Sequence, residues 1–215
     1  MINFEKVNKI YKIGSKPINV FKNLNFSIHQ GDFIKITGPN GSGKSTFLKL
    51  MKKLILPNHG KIIYGSEIND SDIALVSQNQ RSFFLNLSVK QNLLFFCSLK
   101  KTKKIDLEIK IKEYLKTFNL VEKIDAVMST LSSGQLKKIS IIRALLSDPK
   151  ILLLDEITSN LEEESRNFIA DYVCNELNHI QKISIIWTTH YPNEIKEDIE
   201  KSYIIKNSNL VKLSQ

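Results

Sequence analysis

A glycine-rich stretch around a single lysine is the part of the sequence whose chemistry is easiest to infer. The letters GPNGSGKST, residues 38–46, follow the apolar run DFIKIT and match the spacing G-x-x-x-x-G-K-[ST]. Glycines let consecutive backbone N–H groups curve around a phosphate, which side chains at those positions would obstruct. The spacing therefore predicts a phosphate-binding loop in which Lys44 reaches the β- and γ-phosphates of a nucleotide and the Ser45 hydroxyl binds Mg²⁺.

The residues on either side of this loop distinguish a phosphate site from a chance glycine-rich turn. A strand is predicted before it, and TFLKLMKKLIL, residues 46–56, has apolar residues at helical spacing until Pro57 and Gly60. A helix that begins near Lys44 directs its partly positive N-terminus towards the phosphates, which favours the phosphate site. The residues expected to bind the nucleotide here are Gly38, Pro39, Asn40, Gly41, Ser42, Gly43, Lys44, Ser45 and Thr46.

Two carboxylates follow an apolar run further along the chain. KILLLDE, residues 150–156, predicts a buried strand that ends in Asp155 and Glu156. Carboxylates at the end of a buried strand are costly unless a cation needs them. Asp155 suits a Mg²⁺ partner through water, and Glu156 suits the group that orients or deprotonates an attacking water. An exposed turn after a strand is the alternative, and the phosphate loop upstream favours the functional role.

A third stretch, LSSGQLKKISIIRAL at residues 131–145, identifies a family. Together with GPNGSGKST and ILLLDE it resembles the signature segment of the ATP-binding-cassette (ABC) ATPases, whose usual form is L-S-G-G-Q. The resemblance covers essentially the whole chain and implies that ATP is the nucleotide. It also implies that five signature residues contact the ATP held by an opposite subunit: Leu131, Ser132, Ser133, Gly134 and Gln135.

The resemblance assigns roles to residues outside these three stretches. It implies that Tyr11 stacks on adenine, that Gln78 in LVSQNQ belongs to the Q-loop, and that His190 in TTH is the switch histidine. SNLE, residues 159–162, matches the D-loop. The implied catalytic residues are then Glu156, His190 and Gln78, and the implied Mg²⁺ ligands are Ser45, Gln78 and Asp155. Each of these residues also has an alternative without a role in the site. Tyr11 could be a plain strand residue, Gln78 could simply follow a strand, and His190 could be a surface histidine.

The signature stretch also has a physical rationale as a phosphate clamp. Ser132 is placed to cap a helix that begins near Gln135, and Gly134 permits close approach of the backbone. In the family, this clamp closes on the ATP of the opposite subunit, so one chain carries two half-sites. The resemblance therefore implies a head-to-tail dimer with a second copy of the chain or with a homologous ATPase.

Three residues depart from the family pattern. Ser133 stands where the usual signature has glycine, so its Cβ could crowd the γ-phosphate or its hydroxyl could donate to it. Ile157 replaces the proline that commonly follows the catalytic glutamate. Glu162 replaces the usual D-loop aspartate with a longer carboxylate.

The order of the predicted elements indicates an α/β fold. Strand patterns and the helix predicted at 46–56 precede residue 86, helical patterns occupy 86–149, and strands and helices alternate afterwards to a C-terminal hairpin. The resemblance implies a P-loop NTPase fold, an ABC ATPase core with an N-terminal antiparallel β subdomain and an inserted α-helical signature subdomain. We expect a single domain over 1–215, with residues 1–85 and 150–215 as the core and 86–149 as the helical subdomain.

The composition narrows the partners and the location. The net charge is +9, but only three of the 31 basic residues are arginine, and we expect no nucleic-acid partner. No run approaches the ~20 apolar residues of a membrane helix, and Cys97 and Cys174 match no metal or redox spacing. A basic chain suits the anionic cytoplasmic face of a membrane. The expected location is peripheral, on the cytoplasmic side of a bacterial inner membrane or its organellar equivalent.

The family resemblance implies that the energy of ATP drives a membrane transporter through a separate transmembrane permease. Phe83 and Phe84 are the candidate docking residues, while Phe95 and Phe96 are expected in the subdomain core. A soluble ATPase of iron–sulfur cluster assembly and a small antibiotic- or peptide-export ATPase are the alternatives. Among transporter ATPases, the chain is similar to the haem-exporter ATPase of cytochrome c maturation. The features that carry this similarity are Ser133, the short tail after His190 and the letters TTHYP.

Overall fold

The computed structural model describes residues 1–78, 82–98, 104–191, 199 and 201–213. Arg81 and the lysine run at 100–103 lie outside these residues. The strands are β1 (Ile2–Ile13), β2 (Lys16–Ile28), β3 (Phe33–Thr37), β4 (His59–Tyr64), β5 (Ile73–Val76), β6 (Ile151–Asp155), β7 (Ser184–Thr189), β8 (Lys201–Lys206) and β9 (Asn209–Lys212). The helices are α1 (Lys44–Met51), α2 (Val89–Ser98), α3 (Lys104–Thr117), α4 (Ser133–Leu145) and α5 (Glu163–Asp171), which continues as a π-helix over Tyr172–Ile180.

The strands form two sheets. The first is antiparallel with the order β2-β1-β4, and the second has six strands in the order β5-β6-β7-β3-β8-β9. In the second sheet all neighbouring strands are parallel except β8 and β9, which form the predicted C-terminal hairpin. Because parallel strands place their carboxyl ends at one edge, the residues that follow β3, β6 and β7 are brought together.

The parallel sheet separates two hydrophobic clusters. Leu152 and Leu154 of β6 belong to the cluster shared with α2–α5. Ile151 and Leu153 of the same strand belong to the cluster shared with α1 and the antiparallel sheet. Side chains alternate between the faces of a strand, so each face of β6 is buried against a different layer. This arrangement explains why KILLLDE is a continuous apolar run.

Helices α2, α3 and α4 lie between β5 and β6 in the chain, as the helical patterns of 86–149 predict. The domain limits at residues 85 and 150 remain a prediction. The phenylalanines of this region are arranged differently from the expectation. Phe83 is buried and stacks under the Arg143 guanidinium at 4.3 Å, whereas Phe95 is 44% exposed. The expectation of a buried Phe95 is therefore wrong, because its position on α2 directs it outwards beside Phe84.

Helix α1 ends earlier than the sequence predicts. It ends at Met51, and Lys53 adopts a left-handed conformation with φ of 60°. The Leu54 N–H donates to the Lys49 carbonyl at 2.9 Å and the Lys53 N–H donates to the Leu50 carbonyl at 3.1 Å. This pattern is a Schellman motif, in which a left-handed residue closes the last turn. Glycine or asparagine usually occupies that position, so a lysine gives no sequence signal.

Phe47 fixes α1 against the antiparallel sheet. Its ring lies 5.2 Å from the ring of Phe4 and 5.2 Å from that of Phe26, and it is fully buried. Phe47→Ala is expected to lower the free energy of unfolding by about 3–5 kcal/mol, because it removes a buried ring and leaves a cavity. Urea denaturation measures the change, with the exposed Leu56→Ala as the control. A loss below 1 kcal/mol, on the order of a surface substitution, would contradict this packing.

Candidate functional site

The glycine-rich loop joins the end of β3 to the start of α1. Gly43 is the N-cap of α1 and has a φ of 114°. A Cβ at this position would lie 2.5 Å from Cγ1 of Val20, so both the backbone conformation and the space require glycine. Val20 of the antiparallel sheet therefore packs directly against the loop. Helix α1 begins at Lys44, as predicted.

Lys44 is the cation at the centre of this loop. Its ammonium donates to the carbonyls of Gly38 and Pro39, at 2.8 Å and 3.1 Å. It also forms an ion pair of 3.0 Å with Oε1 of Glu156, and both side chains are buried. The loop of β3 and the residue after β6 are thus joined by a charge-assisted contact.

Glu156 is the residue on which the site converges. Its Oε2 accepts a hydrogen bond of 3.1 Å from Nε2 of Gln78 and lies 3.2 Å from Nδ1 of His190. The residue is 8% exposed and has a φ of 48°, which is uncommon for a non-glycine residue. Its N–H donates to the Thr188 carbonyl at 3.0 Å, which holds the backbone of Glu156 against β7. The three predicted catalytic residues therefore meet, together with Lys44.

Asp155 lies beside this group with a separate partner. Its Oδ1 accepts a hydrogen bond of 2.8 Å from the Thr188 hydroxyl, and the carboxylate is buried. Asp155 and Thr188 are also paired in the register of β6 and β7. The neighbouring strand thus fixes this carboxylate at the carboxyl edge of the sheet. Ile157, the next departure from the family pattern, is fully buried in the cluster shared with α2–α5, which suits its apolar side chain.

A cavity of about 450 Å³ opens beside the loop. Its size and mixed lining suit a nucleotide. The residues that line it are Tyr11, Ile18, Val20, Asn40, Gly41, Gly43, Lys44, Ser45, Thr46, Gln78 and Glu156. Tyr11 is 39% exposed and pairs with Ile18 in the register of β1 and β2, so these two side chains and Val20 give the cavity an apolar wall.

Five predicted residues lie around the cavity rather than on its lining. They are Gly38, Pro39, Ser42, Asp155 and His190. The Ser42 Oγ is buried and has no hydrogen-bond partner among the described residues, which suits a phosphate oxygen that would accept from it. Sequence reasoning missed Ile18 and Val20, because the alternating pattern of a strand does not show which of its side chains will line a ligand cavity.

The donor set suits Mg²⁺. A hydroxyl, an amide oxygen and a carboxylate are available from Ser45, Gln78 and Asp155, and Mg²⁺ prefers oxygen ligands. The Gln78 amide directs its nitrogen to Glu156, so its oxygen is the atom that can bind a metal. Among the described residues, no cluster of three His, Cys, Asp or Glu side chains forms a metal site of its own. Water molecules and phosphate oxygens are the further ligands that Mg²⁺ usually takes beside one or two protein carboxylates.

The signature segment forms a second, separate cavity of about 290 Å³. Ser132 is the N-cap of α4, and its Oγ accepts from the Gln135 N–H at 3.3 Å while Gln135 Oε1 accepts from the Ser132 N–H at 3.0 Å. The cap is as predicted, but the helix begins at Ser133. Ser132, Gly134 and Gln135 line the cavity, whereas Leu131 is buried in the core. None of the described residues lines both cavities.

Lys137, on α4, is a site residue that sequence reasoning missed. Its ammonium donates to the backbone carbonyl of Gln78 at 2.8 Å, and the residue is 5% exposed. Burial lowers the pKa of Lys137, although the negative charges of Asp155 and Glu156 act in the opposite direction. The sequence has two consecutive lysines here, Lys137 and Lys138, and gave no indication that the first is buried.

Comparison with known proteins places these features in one family. The family profile described as ABC transporter matches residues 21–159. The methionine import ATP-binding protein MetN 1 of Staphylococcus epidermidis is 30% identical over 99% of this chain and 65% of its own length. The lipoprotein-releasing system ATP-binding protein LolD of Buchnera aphidicola is 32% identical over 89% of this chain and 88% of its own length. The chain thus spans about two thirds of the methionine-import relative.

A solved structure shows the same fold. A dimeric ATP-binding cassette in a post-hydrolysis state, bound to ADP and Pi, superimposes with a TM-score of 0.82. It is 26% identical, and the match covers 98% of this chain and 96% of the cassette. The predicted fold class, an α/β P-loop NTPase with an antiparallel sheet, is confirmed. Within the described part of the chain, no helix has the length and apolar character that crossing a bilayer requires.

Proposed function

This chain belongs to the ABC transporter family, and from that premise we propose that it binds and hydrolyses ATP to power transport through a separate permease. The observation that carries the proposal is the convergence on Glu156. A buried carboxylate at the edge of a nucleotide-sized cavity contacts a loop lysine, a glutamine and a histidine within 3.2 Å. That arrangement suits a general base for a water next to a terminal phosphate.

The proposed binding step begins with Lys44. Its ammonium exchanges the Glu156 carboxylate for a γ-phosphate oxygen, because a phosphate is the stronger charge-assisted partner in reach. The backbone N–H groups of 41–45 surround the β-phosphate, and the Ser42 hydroxyl donates to a phosphate oxygen. Adenine stacks on Tyr11 against the apolar wall of Ile18 and Val20. Ser45, Gln78 and Asp155 would hold Mg²⁺, which would supply neutralisation of charge on the phosphate oxygens when bound.

The proposed hydrolysis step follows from that exchange. Once Lys44 has moved to the phosphate, the Glu156 carboxylate is free to accept a proton from a water molecule. The water oxygen attacks the γ-phosphorus in line, the bond to the β–γ bridging oxygen breaks, and the products are ADP and phosphate. His190 and Gln78 orient the carboxylate and the water, since both already lie within 3.2 Å of Oε2.

The separation of the two cavities supports a dimer. A signature clamp that shares no described lining residue with the ATP cavity of its own chain can act on the ATP of another chain. We propose a second copy of this chain as the partner, with each signature closing on the ATP of the opposite copy. The helix dipole of α4 and the N–H of Gly134 then face the γ-phosphate. Ser133 is the first residue of that helix and is exposed, so it lies on the surface that the opposite copy would meet.

The permease is proposed to dock on the aromatic patch, which we define as Phe84, Leu85 and Phe95. These side chains are 46%, 54% and 44% exposed, and the rings of Phe84 and Phe95 are 4.8 Å apart. Clustered exposed aromatics are typical of protein interfaces. Arg143 of α4 stacks on Phe96, and the Phe96 ring in turn contacts the rings of Phe84 and Phe95 in the patch. The patch is therefore packed against the helix that carries the signature, and a partner bound at the patch could displace that helix.

The double variant Phe84→Ser/Phe95→Ser is expected to lower the fraction of the chain that sediments with membranes by about tenfold, because central aromatics dominate interface affinity. Sedimentation of membranes from cells that express the tagged chain measures this fraction. Ile180→Ser, which removes an exposed apolar side chain from the end of the π-helix, is the control and should bind as the parent does. Equal membrane fractions for the double variant and the parent would contradict the docking site.

The proposed location is the cytoplasmic face of a membrane, where a chain with a net charge of +9 is attracted by anionic lipids. The direction of transport and the cargo depend on the permease. Two of the relatives are named for methionine import and lipoprotein release, and haem export stays an untested prediction for this chain.

Purification of the tagged chain from its own cells in mild detergent tests the transporter proposal. Mass spectrometry of the co-purifying proteins should identify a protein with several membrane spans in the parent sample, and much less of it with Phe84→Ser/Phe95→Ser. Recovery of soluble iron–sulfur assembly proteins without any membrane component would contradict the proposal and support that alternative.

A further inference from the structure

Lys137 is one of only four charged residues that are buried in the described part of the chain. The other three are Lys44, Asp155 and Glu156, all of which belong to the site. Burying a lone ammonium is expensive, so a buried lysine needs partners that justify its position. The cluster has two positive and two negative side chains, so its formal charges balance. This balance indicates that Lys137 is part of the catalytic region rather than of a general helix surface.

The contacts of Lys137 connect two parts of the site that are distant in sequence. From α4 its ammonium reaches the backbone carbonyl of Gln78 at 2.8 Å. The side chain of that same residue donates to Oε2 of Glu156 at 3.1 Å. Lys137 is not among the residues that line the nucleotide cavity. Its effect on the reaction is therefore indirect, through its hydrogen bond to Gln78 and through its charge close to Asp155 and Glu156.

We propose that Lys137 is a positioning residue that fixes Gln78 against the signature helix and thereby orients Glu156; this role rests on the proposed ATP hydrolysis. The N-terminus of α4 carries the Ser132 cap and Gly134, and Lys137 lies about one helical turn beyond them. A displacement of the signature helix as two copies close is thus transmitted through a single hydrogen bond to the backbone of Gln78. The two half-sites of one chain are mechanically linked by this lysine.

A cation suits this position better than a neutral donor. Gln78 lies two residues after the end of β5 at Val76, so its carbonyl is close to the carboxyl edge where Asp155 and Glu156 are buried. An ammonium at that edge donates to the carbonyl and also offsets the negative charge of the two carboxylates. A neutral side chain would supply at most the hydrogen bond.

The test compares Lys137→Met, Lys137→Arg and a control, Ser140→Ala. Ser140 is buried on the same helix, and its hydroxyl donates to the Leu136 carbonyl within α4 at 2.9 Å. Lys137→Met is expected to lower kcat for ATP by about 10- to 100-fold with KM and ATP affinity within about threefold, because misplacement of catalytic groups acts on the transition state. Lys137→Arg keeps the charge and the donor and is expected to retain about a third or more of the parental kcat.

Each outcome bears on one claim. A parental kcat for Lys137→Met, or an equal loss for Ser140→Ala, would overturn the positioning role while leaving the proposed function intact. A parent chain without ATPase activity would overturn the proposed function and this role with it. If Lys137→Met fails to bind ATP, Lys137→Gln replaces it as the neutral variant. Lys137→Arg should then exceed Lys137→Gln in kcat by about tenfold, and equal kcat values would reject the role of the charge.

Discussion

Glu156→Gln is expected to lower the ATPase rate by about 10²- to 10⁴-fold while ATP still binds, because the amide cannot accept the proton of the attacking water. The substitution preserves the shape of the side chain and removes its charge. It also releases Lys44 from an ion pair of 3.0 Å, so the lysine is available to the γ-phosphate from the start. Phosphate release in the presence of Mg²⁺ measures the rate, and calorimetry measures the affinity for ATP.

Glu113→Gln is the matched control for this change, because it removes the charge of an exposed glutamate on α3. Its ATPase rate should equal that of the parent. If Glu156→Gln hydrolysed ATP at the parental rate, the assignment of the general base would be wrong. A loss of ATP affinity in the same variant would instead indicate that Glu156 holds the loop in shape.

Lys44→Ala is expected to reduce ATP affinity by about 10- to 100-fold or more. The variant loses a charge-assisted contact to the phosphates, worth about 1.5–3 kcal/mol. It also leaves the buried Glu156 carboxylate without its cation, close to where the phosphates bind. Calorimetry with ATP in the presence of Mg²⁺ gives the affinity.

The control for this variant is Lys49→Ala, an exposed lysine on the same helix. It should bind ATP with the parental affinity. An unchanged affinity for Lys44→Ala would refute the phosphate loop as the nucleotide site. A lower temperature of unfolding together with weaker binding is expected, since an unpaired buried carboxylate destabilises the fold.

The parts of the structure that could be predicted are those whose signals are local. The loop at 38–46 has its glycines, its lysine and its flanking strand and helix within a few consecutive residues. Ser132 is followed three residues later by Gln135, which is the spacing of a capping box. The buried strand β6 has a continuous apolar run because both its faces are covered.

The parts that could not be predicted depend on contacts between distant segments. The burial of Lys137 depends on the approach of α4 to Gln78, 59 residues away in sequence. The exposure of Phe95 depends on which face of α2 the other helices cover, and an all-apolar helix segment does not reveal that face. The left-handed Lys53 that follows the end of α1 departs from the usual preference for glycine, because local propensity is a weak guide to such turns.

The central claim is that two copies of this chain close on ATP, and the mass of Glu156→Gln in solution tests it most directly. Light scattering during gel filtration should give the monomer mass without nucleotide or with ADP, and twice that mass with ATP and Mg²⁺. Addition of Gly134→Asp to the same chain should restore the monomer, because a carboxylate in the signature repels the phosphates of the opposite copy. A monomer mass for Glu156→Gln at saturating ATP would contradict the composite site between two copies of this chain.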